Sequence, residues 1–264
     1  MFKPKQTGLD ALSATKTLCY AHHGAGKTTQ AALYQEAFGK GFLISGEGGL
    51  ASIANAQIDY LPFSSWDGEH DEDKDVYSFR GICRMVGSKE FAEAGYKWIG
   101  IDSLTEVSDQ LDAALDKKYT DPKATFRRWG EYSRSLIGSL KWLRDLPFHV
   151  YVSCLAKDEE DDNGRVHYWP MVASNKAAKK IPGIFDNVFA LVRETEQSDD
   201  KVIVTRNIIC DEVHGWHGKV RDPHRRIPPI INTASIPDVL KTLHMSDQEF
   251  SDWLSTLSNG ENNV

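Results

Sequence analysis

Short apolar runs alternate with longer stretches in which apolar positions recur every three or four residues, and this alternation fills the first two thirds of the chain. Runs of about four to eight apolar residues suit strands buried on both faces, and the wider spacing suits helices packed over them. The pattern predicts an α/β fold, built from βαβ units around a mainly parallel sheet. Residues 17–21 read as a strand, 27–38 as a helix stopped by Gly39 and Gly41, and 41–45 as the next strand. Ile58 to Phe63 adds a short strand, and Phe79, Ile82, Cys83 and Val86 fall at helical spacing. A strand over 97–101 precedes one helix marked by Leu104, Val107, Leu111 and Leu115 and another marked by Leu136, Leu140 and Leu143. Strands at 148–153, 184–193 and 201–210 complete the sheet, and one or two short helices follow Pro228-Pro229 before a frayed end at Asn259 to Val264.

Two acidic runs interrupt this order. Asp67 to Asp75 reads as a solvated loop, whereas Asp158 to Asp162 leads into Asn163-Gly164 and then Val166, His167, Tyr168 and Trp169, the pattern of a hairpin or a mobile loop. With no repeat and no linker, the expected organisation is one domain over residues 1–264, with a core of about 16–226 and a tail of 227–264.

Composition narrows the class. The 264 residues are 41% hydrophobic and 26% charged, which excludes disordered and collagen-like chains. Lys plus Arg is 31 and Asp plus Glu 38, so the net charge is −7, and any contact with nucleic acid must be local. No run approaches the roughly 20 apolar residues that cross a bilayer, and Met1 to Asp10 has charges where a signal peptide is apolar. Cys19, Cys83, Cys154 and Cys210 are widely separated, as free thiols are in a reducing compartment. A cytoplasmic protein with no membrane partner is expected.

The strongest chemical signal is Ala21-His22-His23-Gly24-Ala25-Gly26-Lys27-Thr28-Thr29, set between a strand and a helix. A loop of this kind binds phosphate because small residues let backbone N–H groups wrap the oxygens, while a helix N-terminus adds positive potential. Lys27 then meets the β- and γ-phosphates and Thr28 offers a hydroxyl to Mg²⁺. The cofactors expected are therefore ATP and Mg²⁺, with residues 23–29 around the nucleotide and Thr28 and Asp102 around the metal. Asp102 ends the apolar strand Trp98-Ile99-Gly100-Ile101, where a carboxylate can hold the metal's water shell; Asp102 or Ser103 could equally cap the next helix. Glu47, in Ser45-Gly46-Glu47-Gly48-Gly49-Leu50, ends the strand after the P-loop helix, where it can orient and deprotonate an attacking water.

Residues 42–50, Phe-Leu-Ile-Ser-Gly-Glu-Gly-Gly-Leu, together with Ile101-Asp102-Ser103-Leu104-Thr105, resemble the RecA-like recombinase ATPases. The likeness covers roughly residues 16 to 226 and looks most like the compact phage-type RecA-like proteins, some of which act in single-strand annealing and recombination. It implies a RecA-like P-loop NTPase fold with late antiparallel strands, Glu47 as the hydrolytic carboxylate, and ATP hydrolysis linked to single-stranded DNA. It also implies a homo-oligomer, ring or filament, a single-strand-binding protein as partner, and the host cytoplasm as location if the chain is phage-encoded. Lys219-Val220-Arg221 is similar to the basic-x-basic pair that such enzymes extend to a neighbouring protomer's γ-phosphate; a surface basic patch with Arg225 and Arg226 is the other reading.

For nucleic acid, residues 117–144 hold eight basic residues against two acidic, so the segment is +6, and Phe126, Arg127, Arg128 and Trp129 set stacking surface beside charge. A solvated helix face with a core Trp has the same signature. The segment 157–182 lies where recombinases carry a DNA loop and offers Lys176, Lys179 and Lys180, against five consecutive acids. Cys210, His214 and His217 have zinc-like spacing without an evident fourth ligand. Ser174-Asn175-Lys176-Ala177 lacks the aspartate of a guanine-reading motif, and no residue declares adenine. A P-loop kinase for a small acceptor and a nucleotide-sensing adaptor without turnover are the competing functions.

Overall fold

Six consecutive residues with no exposed position, Lys16–Ala21 (β1), form the middle of the sheet. The structure is a computed structural model and describes residues 14–68, 77–198 and 201–259. After β1 come α1 (Thr29–Phe38), β2 (Gly41–Ser45), a 3-10 segment (Gly49–Ala56), β3 (Asp59–Ser65), β4 (Tyr77–Ser78), α2 (Phe79–Val86), α3 (Lys89–Glu93), β5 (Trp98–Asp102), α4 (Leu104–Lys118) and α5 (Thr125–Arg144). The second half holds β6 (His149–Glu160), β7 (Val166–Pro170), α6 (Asn175–Ala178), β8 (Asn187–Ser198), β9 (Lys201–Ile209), β10 (Glu212–Val213), β11 (Trp216–His217), β12 (Ile230–Ile231), α7 (Ile236–Thr242) and α8 (Asp247–Asn259).

The strand order is β12-β9-β8-β1-β6-β5-β2-β3-β4. β1 is parallel to both β6 and β8, and β5, β2 and β3 continue the parallel sheet, whereas β9 and β12 join antiparallel at one edge. One strand, β6, therefore separates the P-loop strand β1 from the Asp102 strand β5. This is a P-loop α/β fold, mainly parallel with late antiparallel strands, as the sequence pattern predicts.

Alternation along β1 builds two cores. Leu18 and Tyr20 face a cluster with Ile101, Val107, Leu136 and Leu140, contributed by β5, α4 and α5. Cys19 and Ala21 face the opposite cluster, where Tyr34 of α1 meets Ile236, Val239 and Leu240 of α7. Serines start the helices: Ser78, Ser88 and Ser103 each accept a backbone N–H of the first turn.

Some expectations change. α5 begins at Thr125, well before the Leu136 pattern, because among its early residues only Tyr132 is buried. Asp158 to Glu160 of the acidic run lie on β6 and pair with β7 as a hairpin, while Asp161 and Asp162 enter the turn, which closes through Gly164 with φ +76°. A core that stops near 226 is corrected too, since Ile231, Ile236, Val239, Leu240 and Leu243 are buried against α1. Residues 69–75 of the first acidic stretch and residues 260–264 of the expected frayed end lie outside the described residues. Asp67, at the start of that stretch, is ion-paired with Arg80 at 2.6 Å. No helix among the described residues is long and apolar enough to cross a membrane.

Candidate nucleotide site

The loop from β1 to α1 turns through left-handed backbone at Gly24 (φ +71°) and Gly26 (φ +102°), conformations that a side chain would strain. Lys27 is buried and folds back, its Nζ donating to the carbonyls of His22 at 3.0 Å and Ala21 at 3.3 Å. Tyr151 of β6 donates to the Lys27 carbonyl at 2.7 Å, fixing the loop to the sheet. His22 lies edge-on to the Tyr168 and Trp216 rings, which stack with centroids 4.2 Å apart.

Asp102 sits at the end of β5 with 1% of its surface exposed. Thr28 Oγ1 donates to its Oδ2 at 2.8 Å, and the Ser153 hydroxyl donates to its Oδ1. Burial raises the Asp102 pKa, hydrogen bonds from Ser153 and Thr28 oppose the rise, and Glu47 adds to it through its charge. The next residue takes the capping role: Ser103 accepts from Glu106 N at the start of α4. The sequence left the cap open between Asp102 and Ser103, and the structure gives it to Ser103, which leaves the Asp102 carboxylate free of the capping role.

Glu47 is fixed at the top of β2. The Gly46 and Glu47 N–H groups both donate to the Asp102 carbonyl, at 2.8 and 3.3 Å, and the Ser103 hydroxyl donates to Glu47 Oε1. Gly46 makes this approach possible, because a Cβ there would lie 2.5 Å from Glu106 Cγ and Phe63 Cζ. Loop lysine, threonine hydroxyl and two carboxylates thus meet at one edge of the sheet. The oxygen donors of Thr28 and Asp102 are the hard ligands that Mg²⁺ takes, so these residues fit that ion.

Over residues 13–221 the sequence matches the AAA domain family. The chain belongs to that family. No curated protein sequence matches it. Among solved structures, this AAA-domain chain is similar to an ATPase from the type III secretion system of pathogenic bacteria, with 14% identity, 67% of this chain and 51% of that one covered, and a TM-score of 0.43. It spans about half the length of that ATPase. It is also similar to a KaiC-like protein of Pyrococcus horikoshii OT3 (17% identity, 74% and 78% covered, TM-score 0.38) and to the RadB recombinase (14%, 76% and 84%, TM-score 0.38).

Other expected site residues of the AAA domain fall elsewhere. Lys219 pairs with Val188, the neighbour of Leu18, and its Nζ donates to the carbonyls of Pro182 at 3.0 Å and Phe185 at 2.6 Å. Arg221 pairs with Asp186 at 3.2 Å, and the Asp186 N–H donates to the Lys16 carbonyl at the start of β1. Lys219 and Arg221 therefore lie toward the end of β1 opposite to this chain's own P-loop, and Lys219 caps two carbonyls of its own chain. Arg128 is likewise taken up: its Nη2 lies 2.7 Å from both Asp112 and Asp116 of α4, and its side chain is 11% exposed. Arg127 and Phe126 are exposed, and Trp129 lies beside the Arg128 guanidinium at 4.5 Å. Among the described residues no three His, Cys, Asp or Glu side chains gather as metal ligands; Cys210 is buried and His217 stacks on Trp169 at 3.9 Å.

Sequence reasoning missed three residues. Ser153 reaches Asp102 because β6 and β5 are neighbours, and Ser103 reaches Glu47 because β5 and β2 are. Arg193 on β8 is the third: a Cβ built on Gly24 would lie 3.9 Å from its Nη1. Its guanidinium has no ion pair among the described residues, and its backbone is in register with Arg206 of β9.

Proposed function

We infer that this protein is a Mg²⁺-dependent ATPase that acts on single-stranded DNA in recombination, annealing or replication, as a homo-oligomer. The observation that carries the reading is the junction of Thr28, Asp102 and Glu47, joined by hydrogen bonds across the P-loop, β5 and β2. Residues 23–29 wrap the triphosphate, and Lys27 exchanges its carbonyl partners for the β- and γ-phosphates. The Thr28 hydroxyl and the Asp102 carboxylate would hold Mg²⁺, which would supply neutralisation of phosphate charge when bound.

Glu47 orients a water in line with the γ-phosphorus and takes its proton as the new P–O bond forms and the bond to ADP breaks. Ser103 holds Glu47 in position. Arg193 approaches the loop at Gly24 from the same chain and offsets negative charge on the transferring group. A fixed carboxylate beside the metal-holding aspartate favours transfer to water over transfer to a small acceptor.

The DNA part is supported by the +6 charge of 117–144 and by the start of α5, where Phe126 is 90% exposed beside exposed Arg127. Exposed Arg221 is available to a second protomer, and a single-strand-binding protein is a natural partner on the same strand. The test is ATP turnover with and without oligothymidylate. Turnover that rises on adding the oligonucleotide supports both parts; turnover indifferent to it removes the DNA link; none in the folded wild type overturns hydrolysis.

A further inference from the structure

The face of α5 from Ser133 to Lys141 and the segment running from α6 through the 3-10 turn Ile181–Gly183 enclose an open groove of about 750 Å³. Arg134 and Lys141 stand on one wall and Lys176, Lys179 and Lys180 on the other, and no Asp or Glu lines it. All five cations are exposed. Lys179 is shared with Glu159 at 2.9 Å, whereas the other four have no ion pair among the described residues. Five clustered cations in a chain of net −7 repel one another unless an anion lies between them.

We propose that this groove binds the sugar–phosphate backbone of single-stranded DNA. The proposal rests on the reading that DNA is the substrate, and adds where the strand runs and how it is read. Arg134 and Lys141 are two helical turns apart, about 10 Å along α5, a span suited to two or three successive phosphates and not to one compact anion. The apolar lining is Ile137, Ala177 and Ile184, with no aromatic ring. Bases therefore find no stacking partner here, and binding is indifferent to base identity and strongly salt-dependent. The groove is separate from Phe126 at the start of α5.

Gly138 borders the groove, and a Cβ there meets nothing within 4 Å. It also lies inside a helix, where Glu and Gln are better helix formers than Gly, so both variants should fold. Anisotropy of fluorescein-labelled oligothymidylate and of a mixed-sequence oligonucleotide, measured against KCl without nucleotide, should give equal affinities within about twofold for the wild type. Gly138→Glu should weaken binding at least about tenfold and Gly138→Gln by less than about twofold. Lys176→Ala/Lys180→Ala should flatten the log–log salt slope by about 1.4, at about 0.7 per phosphate contact. Wild-type binding with both variant sets unchanged overturns the groove and leaves the DNA reading standing. No wild-type binding at low salt overturns both. Displacement by inorganic tripolyphosphate at equal phosphate concentration overturns it in favour of a small polyanion.

Discussion

Thr28 Oγ1 donates to Asp102 Oδ2 at 2.8 Å, so a hydroxyl on the β1–α1 loop and a carboxylate on β5 are in direct contact across β6. Burial keeps the Asp102 pKa above its ordinary value. A carboxyl whose folded pKa exceeds its unfolded one favours the folded state at low pH, and that advantage is lost as pH rises from the unfolded to the folded value. Asp102→Asn should therefore raise the melting temperature of the nucleotide-free protein at pH 7 while abolishing Mg²⁺-dependent turnover. A lower melting temperature than wild type would remove the idea that the buried charge is a cost of function.

Glu47→Gln should retain ATP affinity and lose at least about a hundredfold in turnover, as loss of a water-positioning base costs. Ser103→Ala should lose less, because Gly46 and Glu47 N–H still tie the strand end to the Asp102 carbonyl. Equilibrium binding of a fluorescent ATP analogue beside single-turnover hydrolysis separates the two quantities. Equal loss of both in Glu47→Gln would make Glu47 a binding residue.

Arg193→Ala should reduce turnover by up to about 10³ with a small change in ATP affinity, the signature of a cation that stabilises the transferring phosphoryl group. Because Arg193 and Gly24 belong to one chain, the loss should be independent of protein concentration. Rescue by mixing with Lys27→Ala protein would show that the arginine acts from another protomer.

Lys219→Ala should lower stability by about 1–3 kcal/mol, since it strips the carbonyls of Pro182 and Phe185 of a charged donor. Turnover per folded molecule should stay within about twofold. Thermal unfolding alongside turnover decides between the roles: full stability with lost activity would return Lys219 to the active site.

Arg127→Ala and Arg128→Ala should diverge. Arg128, bound to Asp112 and Asp116, should report in melting temperature, and exposed Arg127 in DNA affinity. Matching effects on DNA affinity in folded proteins would put both on the strand.

The P-loop, the boundaries of β2 and, to within one residue, those of β5 were legible because strands buried on both faces are continuous apolar runs, punctuated at Gly46 and Asp102. Partners across strands were not. Ser153 reaches Asp102, and Arg193 the P-loop, through the order β8-β1-β6-β5, which no local pattern encodes. The basic-x-basic spacing of Lys219 and Arg221 carries no information about which end of the sheet they occupy. Arg128 looked free because Asp112 and Asp116 lie on a different helix.

Gln30, in the first turn of α1, donates through Nε2 to the Ala234 carbonyl at 2.6 Å and accepts from the Ile236 N–H at 2.9 Å. One side-chain amide thus ties the P-loop helix to the chain entering α7, and Ile236, Val239 and Leu240 cover the neighbouring Ala31 and Tyr34. The stretch that matches the AAA domain ends at residue 221, before any of these contacts. Expressed as 13–221, the polypeptide would retain the whole of the 23–29 loop yet bare an apolar flank of the helix that follows it, a surface prone to aggregate. For protein engineering, the unit that packs as one core is therefore longer than the recognisable family segment.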